Sequence, residues 1–164
     1  MATDTIARQH FNIDLSLGNW TKDHVWAHSA VLVGRCFYSL IFIIASFGHF
    51  TKATVDYAAN QGVPLAQLLV PLSGLMALIG GLSILLGYGA RIGALLIILF
   101  LIPVTLAMHN FWTVADPMTA QLQQAMFMKN VSMLGAALLI FYFGAGPMSF
   151  DSNISITKEL RSEF

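Results

Sequence analysis

The chain has 164 residues, of which 57% are hydrophobic and only 10% charged, and its mean hydropathy is +0.72. Soluble domains carry about 25% charged residues, so this composition excludes a water-soluble globular protein and leaves an integral membrane protein. Eight Lys+Arg against eight Asp+Glu exclude the basic face that nucleic acid requires, and the single Cys36 excludes an intramolecular disulfide, a Cys-x-x-Cys couple or a thiolate-rich metal site.

The N-terminal segment, residues 1–29, mixes aromatics with charge and shows no clean period, so no element is assigned to it. A membrane-crossing helix needs about 20 mostly apolar residues, and four stretches qualify: about 30–50, 65–86, 92–108 and 125–143. The first contains Arg35. A central arginine costs about 2.5–3.5 kcal/mol on the insertion scale, which the surrounding Leu, Ile, Val and Phe residues outweigh at about 0.3–0.6 kcal/mol each. A cleaved signal peptide fits this stretch poorly, because mixed polar residues precede it and no small-x-small site follows closely. The short Gly87-Tyr88-Gly89 turn makes the second and third spans an antiparallel hairpin. The expected fold is therefore all-α, a four-helix transmembrane domain over residues 30–145 with a polar tail, 146–164.

Four spans put both termini and the hairpin turn on one side. That side holds Arg8, Lys22, Arg91, Lys158 and Arg161, with Arg35 entering from it, against Lys52 and Lys129 opposite. The positive-inside rule then predicts both termini and the tail in the cytoplasm. On the outer side, Thr54 is expected to cap a short interfacial helix through Asn60 that stops at Gly62 and Pro64. Asp116-Pro117 has the cap-then-proline pattern of a helix start, so the fourth helix is expected to begin outside the membrane.

Helix association in lipid rests on close packing. Ser73, Ala77 and Gly81, with Gly74 and Gly80 beside them, form a small-residue ladder in the second span, and Ser132, Gly135 and Ala136 offer another in the fourth. Pro103 deprives the carbonyl of Leu99 of its intrahelical donor and is expected to bend the third.

Arg35, Ser39, Ser46 and His49 fall on one narrow face of the first helix, with Phe42 between them. Such a stripe is expected to face the bundle interior, and it carries His49 about 21 Å outward from Arg35. The third helix ends in His109-Asn110-Phe111-Trp112, and the fourth returns with Lys129-Asn130. His49, Lys52, His109, Asn110, Trp112, Lys129 and Asn130 are therefore expected at one depth on the outer side, as candidates for a small pocket. Arg35 and Arg91 read as cytoplasmic-side anchors and Trp112 alone as an aromatic-belt residue.

The order of these motifs resembles the DoxX family of small four-span bacterial membrane proteins. The resemblance rests on Arg35 ahead of Ile41-Phe42-Ile43, on Gly48-His49-Phe50-Thr51-Lys52, and on Gln61-Gly62-Val63-Pro64. It continues through Gly80-Gly81, Leu86-Gly87, Arg91, His109-Asn110-Phe111-Trp112, Phe127-Met128-Lys129-Asn130-Val131-Ser132, Gly144-Ala145-Gly146 and Asp151. It covers about residues 30–151 and implies a multi-pass protein of the bacterial inner membrane, with some relatives linked to thiosulfate:quinone oxidoreductase and others to membrane redox complexes. Many relatives have a glutamate where this chain has Ala77; without it no carboxylate lies within any span, which weakens a proton-coupled mechanism.

The histidines admit three readings: interfacial residues bonded to backbone or headgroups, donors to a quinone carbonyl, or axial haem ligands, with haem the least favoured and no metal site expected. Lys129 reads either as snorkelling to headgroups or as a donor in the pocket. Two function classes follow. One is an accessory subunit of a quinone-linked membrane oxidoreductase, in which redox chemistry belongs to quinone and a partner protein. The other is a non-enzymatic protein of small-molecule binding, transport or assembly, alone or as a homo-oligomer.

Overall fold

A computed structural model describes residues 25–154; the N-terminal expectations for Arg8 and Lys22 and those for Lys158 and Arg161 lie outside the described residues. Among the described residues the elements are helices: α1 (Val25–Gly48), α2 (Lys52–Asn60), α3 (Ala66–Leu86), α4 (Ala90–Met108), a 3-10 turn (Phe111–Thr113) and α5 (Pro117–Phe143). Four of them, α1, α3, α4 and α5, are long and apolar enough to cross a membrane, and the fold is an all-α four-helix membrane bundle. α1 packs on α3, α3 on α4 and α4 on α5, while α2 lies against α3. The α3–α4 turn defines the hairpin end of the bundle; α2 and the 3-10 turn define the loop end.

Helix starts follow local chemistry. Within the described residues α1 already includes Val25–Ser29, ahead of the apolar run, and Ser29 Oγ donates to the Val25 carbonyl. The α2 cap is Thr51, not Thr54: Thr51 has the extended backbone of a cap residue and its Oγ1 accepts from the Thr54 amide. Thr54 is thus the third residue inside the helix, the position whose orphan amide a cap satisfies. α5 starts as expected at Asp116-Pro117, where the amide and hydroxyl of Thr119 both donate to Asp116 Oδ2, at 2.8 and 2.6 Å. These two bonds favour the charged carboxylate and hold Asp116 below its ordinary value.

The buried residues of α1 are Arg35, Ser39, Phe42 and Ser46, the face expected to turn inward. It meets the small-residue face of α3. A Cβ on Gly81 would sit 3.3 Å from the Ser39 carbonyl, and one on Gly74 only 2.6 Å from the His49 Cβ. On the other side of α3, a Cβ on Gly80 would come 2.9 Å from the Gly93 carbonyl of α4. The core between these contacts holds Phe42, Ala77, Ile84, Ala94, Ile97, Phe100, Leu101 and Ala137. Ala77, at 1% exposure, is packed inside this core.

The hairpin end is closed by a clasp. Arg35, expected on the inward stripe and as a cytoplasmic-side anchor, is 5% exposed. Its guanidinium donates to the carbonyls of Ala145 (2.9 Å) and Met148 (2.7 Å). These bonds draw the first residues after α5 back over the bundle, so Ser149 is buried. Asp151 then accepts from the amides of Gly89 and Ala90 at 2.9 and 3.1 Å, capping the otherwise unsatisfied start of α4, while its own amide donates to the Gly87 carbonyl at 2.8 Å. Gly87 has φ +66°, and a Cβ there would lie 2.4 Å from the Ser149 Cβ, so only glycine fits the turn. Arg91 is exposed.

This packing predicts a contrast between two glycines. Gly80→Val should lower unfolding stability in mixed detergent micelles by about 1–3 kcal/mol, because the added carbons meet backbone. Gly34→Ala, where a Cβ meets nothing within 4 Å, should leave stability unchanged or raise it by up to about 1 kcal/mol. Equal losses at the two positions, measured by circular dichroism during SDS titration, would contradict the packing account.

Candidate functional site

At the loop end α1 stops at Gly48, and the following turn is closed by the His49 amide on the Ser46 carbonyl at 3.1 Å. The His49 ring is directed between α3 and α4. Its Nδ1 lies 2.9 Å from Ser73 Oγ of α3, and its plane is tilted against Phe100 of α4 with 5.6 Å between ring centres. Gly74 provides the room, since any side chain there would strike the His49 Cβ.

Beneath the ring lies a cavity of about 310 Å³. Val70, Ser73 and Met76 of α3 and Phe100, Val104 and Met108 of α4 form its walls, and Thr54 and Ala58 of α2 with Val63 roof it. Other lining residues, Leu69 and Leu72 of α3 and Leu99 and Pro103 of α4, are exposed on the bundle exterior. In a membrane-embedded bundle that exterior faces lipid. Apart from the hydroxyl of Thr54 in the roof, the polar side-chain groups on the cavity are those of His49 and Ser73.

Of the seven residues expected to form the pocket, His49 alone lines this cavity. Lys52 opens α2 with its side chain 88% exposed, and its Nζ pairs with Asp56 at 2.6 Å, one helical turn away. His109 ends α4, and its Nδ1 lies 2.8 Å from Gln123 Oε1 of α5. The carbonyl of Asn110 accepts from the Thr113 amide and hydroxyl at 3.0 and 2.9 Å, shaping the 3-10 turn. Trp112 joins Phe111 and Phe127 in an edge-to-face cluster with centroid separations of 5.1–5.9 Å. Lys129 is exposed and Asn130 buried, at adjacent positions on α5. These groups form a rim that ties α4 to α5. The cavity is set apart from that rim, between α3 and α4 under α2.

Ser73 and Phe100 are site residues that the sequence reading did not single out. Ser73 stood in the small-residue ladder, although it is the only hydroxyl in the half of α3 nearer His49, and that was the available signal. Phe100 carried none, being one apolar residue in an apolar span.

A bundle of four helices long and apolar enough to cross a membrane is a multi-pass membrane protein. The DoxX family model matches residues 30–110. Inner membrane protein YphA of Escherichia coli (strain K12) is 31% identical over 123 residues, covering 74% of this chain and 87% of that protein. Inner membrane protein YqjF of the same strain is 32% identical over 123 residues, 74% of this chain and 88% of that protein. No solved structure matches the chain. The chain belongs to the DoxX family and is a multi-pass inner-membrane protein.

The rim contact between α4 and α5 is testable by a double-mutant cycle. His109→Ala and Gln123→Ala should each destabilise the protein, with a coupling of about 0.5–1.5 kcal/mol between them. Strictly additive losses in the same micelle unfolding assay would show that the two side chains do not interact.

Proposed function

We propose that this protein binds a quinone-class lipid in the cavity beneath His49 and acts as a membrane accessory subunit of a quinone-linked oxidoreductase system. The observation that carries this reading is the cavity itself. Its volume of about 310 Å³ falls within the range of about 300–1,000 Å³ typical of small-molecule sites. Its walls are apolar, and its mouth lies among exposed apolar residues of α3 and α4. A ring with a polar oxygen fits such a site, with the oxygen at His49 and Ser73 and an apolar tail leaving into lipid. The bound molecule would supply the redox chemistry; the residues of this chain bind the ring, orient its oxygen and keep water out. The family resemblance to relatives linked with quinone-dependent enzymes supports the same class.

In this reading electrons come from a redox partner protein, and the outward face of α5, which packs mainly on α4, is the surface for that partner or for a second copy. The cation distribution supports termini in the cytoplasm and the loop end outside. A cysteine introduced at Ala115 should then react with a membrane-impermeant maleimide in intact cells; labelling only after lysis would reverse the orientation.

Purified protein should retain quinone in organic extracts. His49→Phe should weaken anaerobic binding of the reduced form, decylubiquinol, by about five- to tenfold, the effect of removing one hydrogen bond of about 1–1.4 kcal/mol. Lys52→Ala, which changes an exposed ion pair, should leave it unaltered. Extracts holding only phospholipid, with His49→Phe and the native chain indistinguishable, would sink this reading.

A further inference from the structure

The hydrogen bonds around Ser73 decide which nitrogen of His49 carries the proton, and thereby what the cavity head can recognise. Ser73 Oγ lies 2.7 Å from the Val70 carbonyl and 2.9 Å from His49 Nδ1. A serine hydroxyl has one proton to give. Were it given to His49, two oxygens would face each other at 2.7 Å with no hydrogen between them. Given to Val70, it leaves Ser73 Oγ as an acceptor, and the 2.9 Å contact requires a proton on Nδ1. The lengths agree with that assignment, since O–H···O bonds centre near 2.7–2.8 Å and N–H···O bonds near 2.9–3.0 Å. Both contacts are satisfied together only by the Nδ1–H tautomer. Among the described residues the one ion pair joins Lys52 and Asp56, so no carboxylate pairs with the ring to favour an imidazolium.

A neutral imidazole protonated at Nδ1 offers Nε2 as a lone pair. Among the described residues the hydrogen bond to Ser73 is made by Nδ1 and none is made by Nε2, on a ring that lines the cavity. We propose that the cavity selects the reduced, hydroxyl-bearing quinol over the quinone: His49 Nε2 accepts a hydrogen bond from the ring hydroxyl, and a quinone carbonyl, itself an acceptor, finds no donor there. This inference rests on the binding reading above and specifies its ligand. Ser73 is a positioning residue in it, acting through the His49 tautomer.

The experiment is an anaerobic titration of the purified full chain in nanodiscs with decylubiquinol and, separately, with decylubiquinone. The quinol should bind at least tenfold more tightly. Ser73→Ala removes the acceptor that holds the proton on Nδ1, so it should narrow that ratio to within about twofold while the chain still binds both forms. Nitrogen-15 NMR of labelled histidine should show His49 with Nδ1 protonated and Nε2 bare, a signature that a merely packed Ser73 would not produce. Quinone binding as tight as quinol, or an Nε2-protonated ring, would overturn the selection while leaving the binding reading in place. Farnesol binding as tightly as the quinol would overturn the quinol as occupant. No measurable binding of either redox form to folded protein would overturn the reading beneath it.

Discussion

Helices in lipid gain nothing by hiding apolar surface from one another, so their association rests on how closely the backbones approach and on which polar groups must be kept from the hydrocarbon. Both demands meet on α3. Gly74 and Gly81 admit α1, and Gly80 admits α4 through a contact with the Gly93 carbonyl. α3 is consequently the helix against which α1, α2 and α4 are all set. The polar face of α1 is kept from the hydrocarbon by this arrangement, because Arg35, Ser39 and Ser46 turn inward where α3 has no bulk to oppose them. Toward the loop end the cavity lies between α3 and α4.

The buried guanidinium of Arg35 is the second constraint. An arginine this enclosed needs partners for its donors, and its two terminal nitrogens find them in the carbonyls of Ala145 and Met148, far along the chain, while Nε is left without one. Residues that carried the family resemblance separately, namely Arg35, Gly87, Ala145-Gly146 and Asp151, thus belong to one assembly at the hairpin end. Its work is architectural. It fixes the ends of α1, α4 and α5 relative to one another and leaves the opposite end free to hold the site.

The four spans, the inward stripe on α1 and the Asp116 start of α5 were legible because each is a local pattern: length, periodicity, or a cap beside a proline. The partner of His49 was not. Recognising Ser73 requires knowing that α3 presents it at the depth of the His49 ring, which depends on the α2 excursion and on Gly74. Arg35 read as a cytoplasmic-side anchor, and its carbonyl partners were not legible because carbonyls have no sequence signature. Lys52 read as a pocket residue although Asp56, one turn later, was visible as its partner. His109, Trp112 and Lys129 share an end with His49, and sharing an end is weaker than sharing a cavity. Composition located the polar groups, while helix packing decided which of them face an enclosed space.

The account comes down to one cavity, apolar-walled, open toward lipid and headed by a histidine whose proton is set by a serine. Its most direct test is a photoreactive azidoquinone applied to the protein in nanodiscs, followed by mass mapping of the labelled peptides. The account predicts label concentrated within residues 69–76 of α3 and 99–108 of α4, and displaced by excess unlabelled decylubiquinol. Label spread over the exposed face of α5, or undiminished by the competitor, would contradict it.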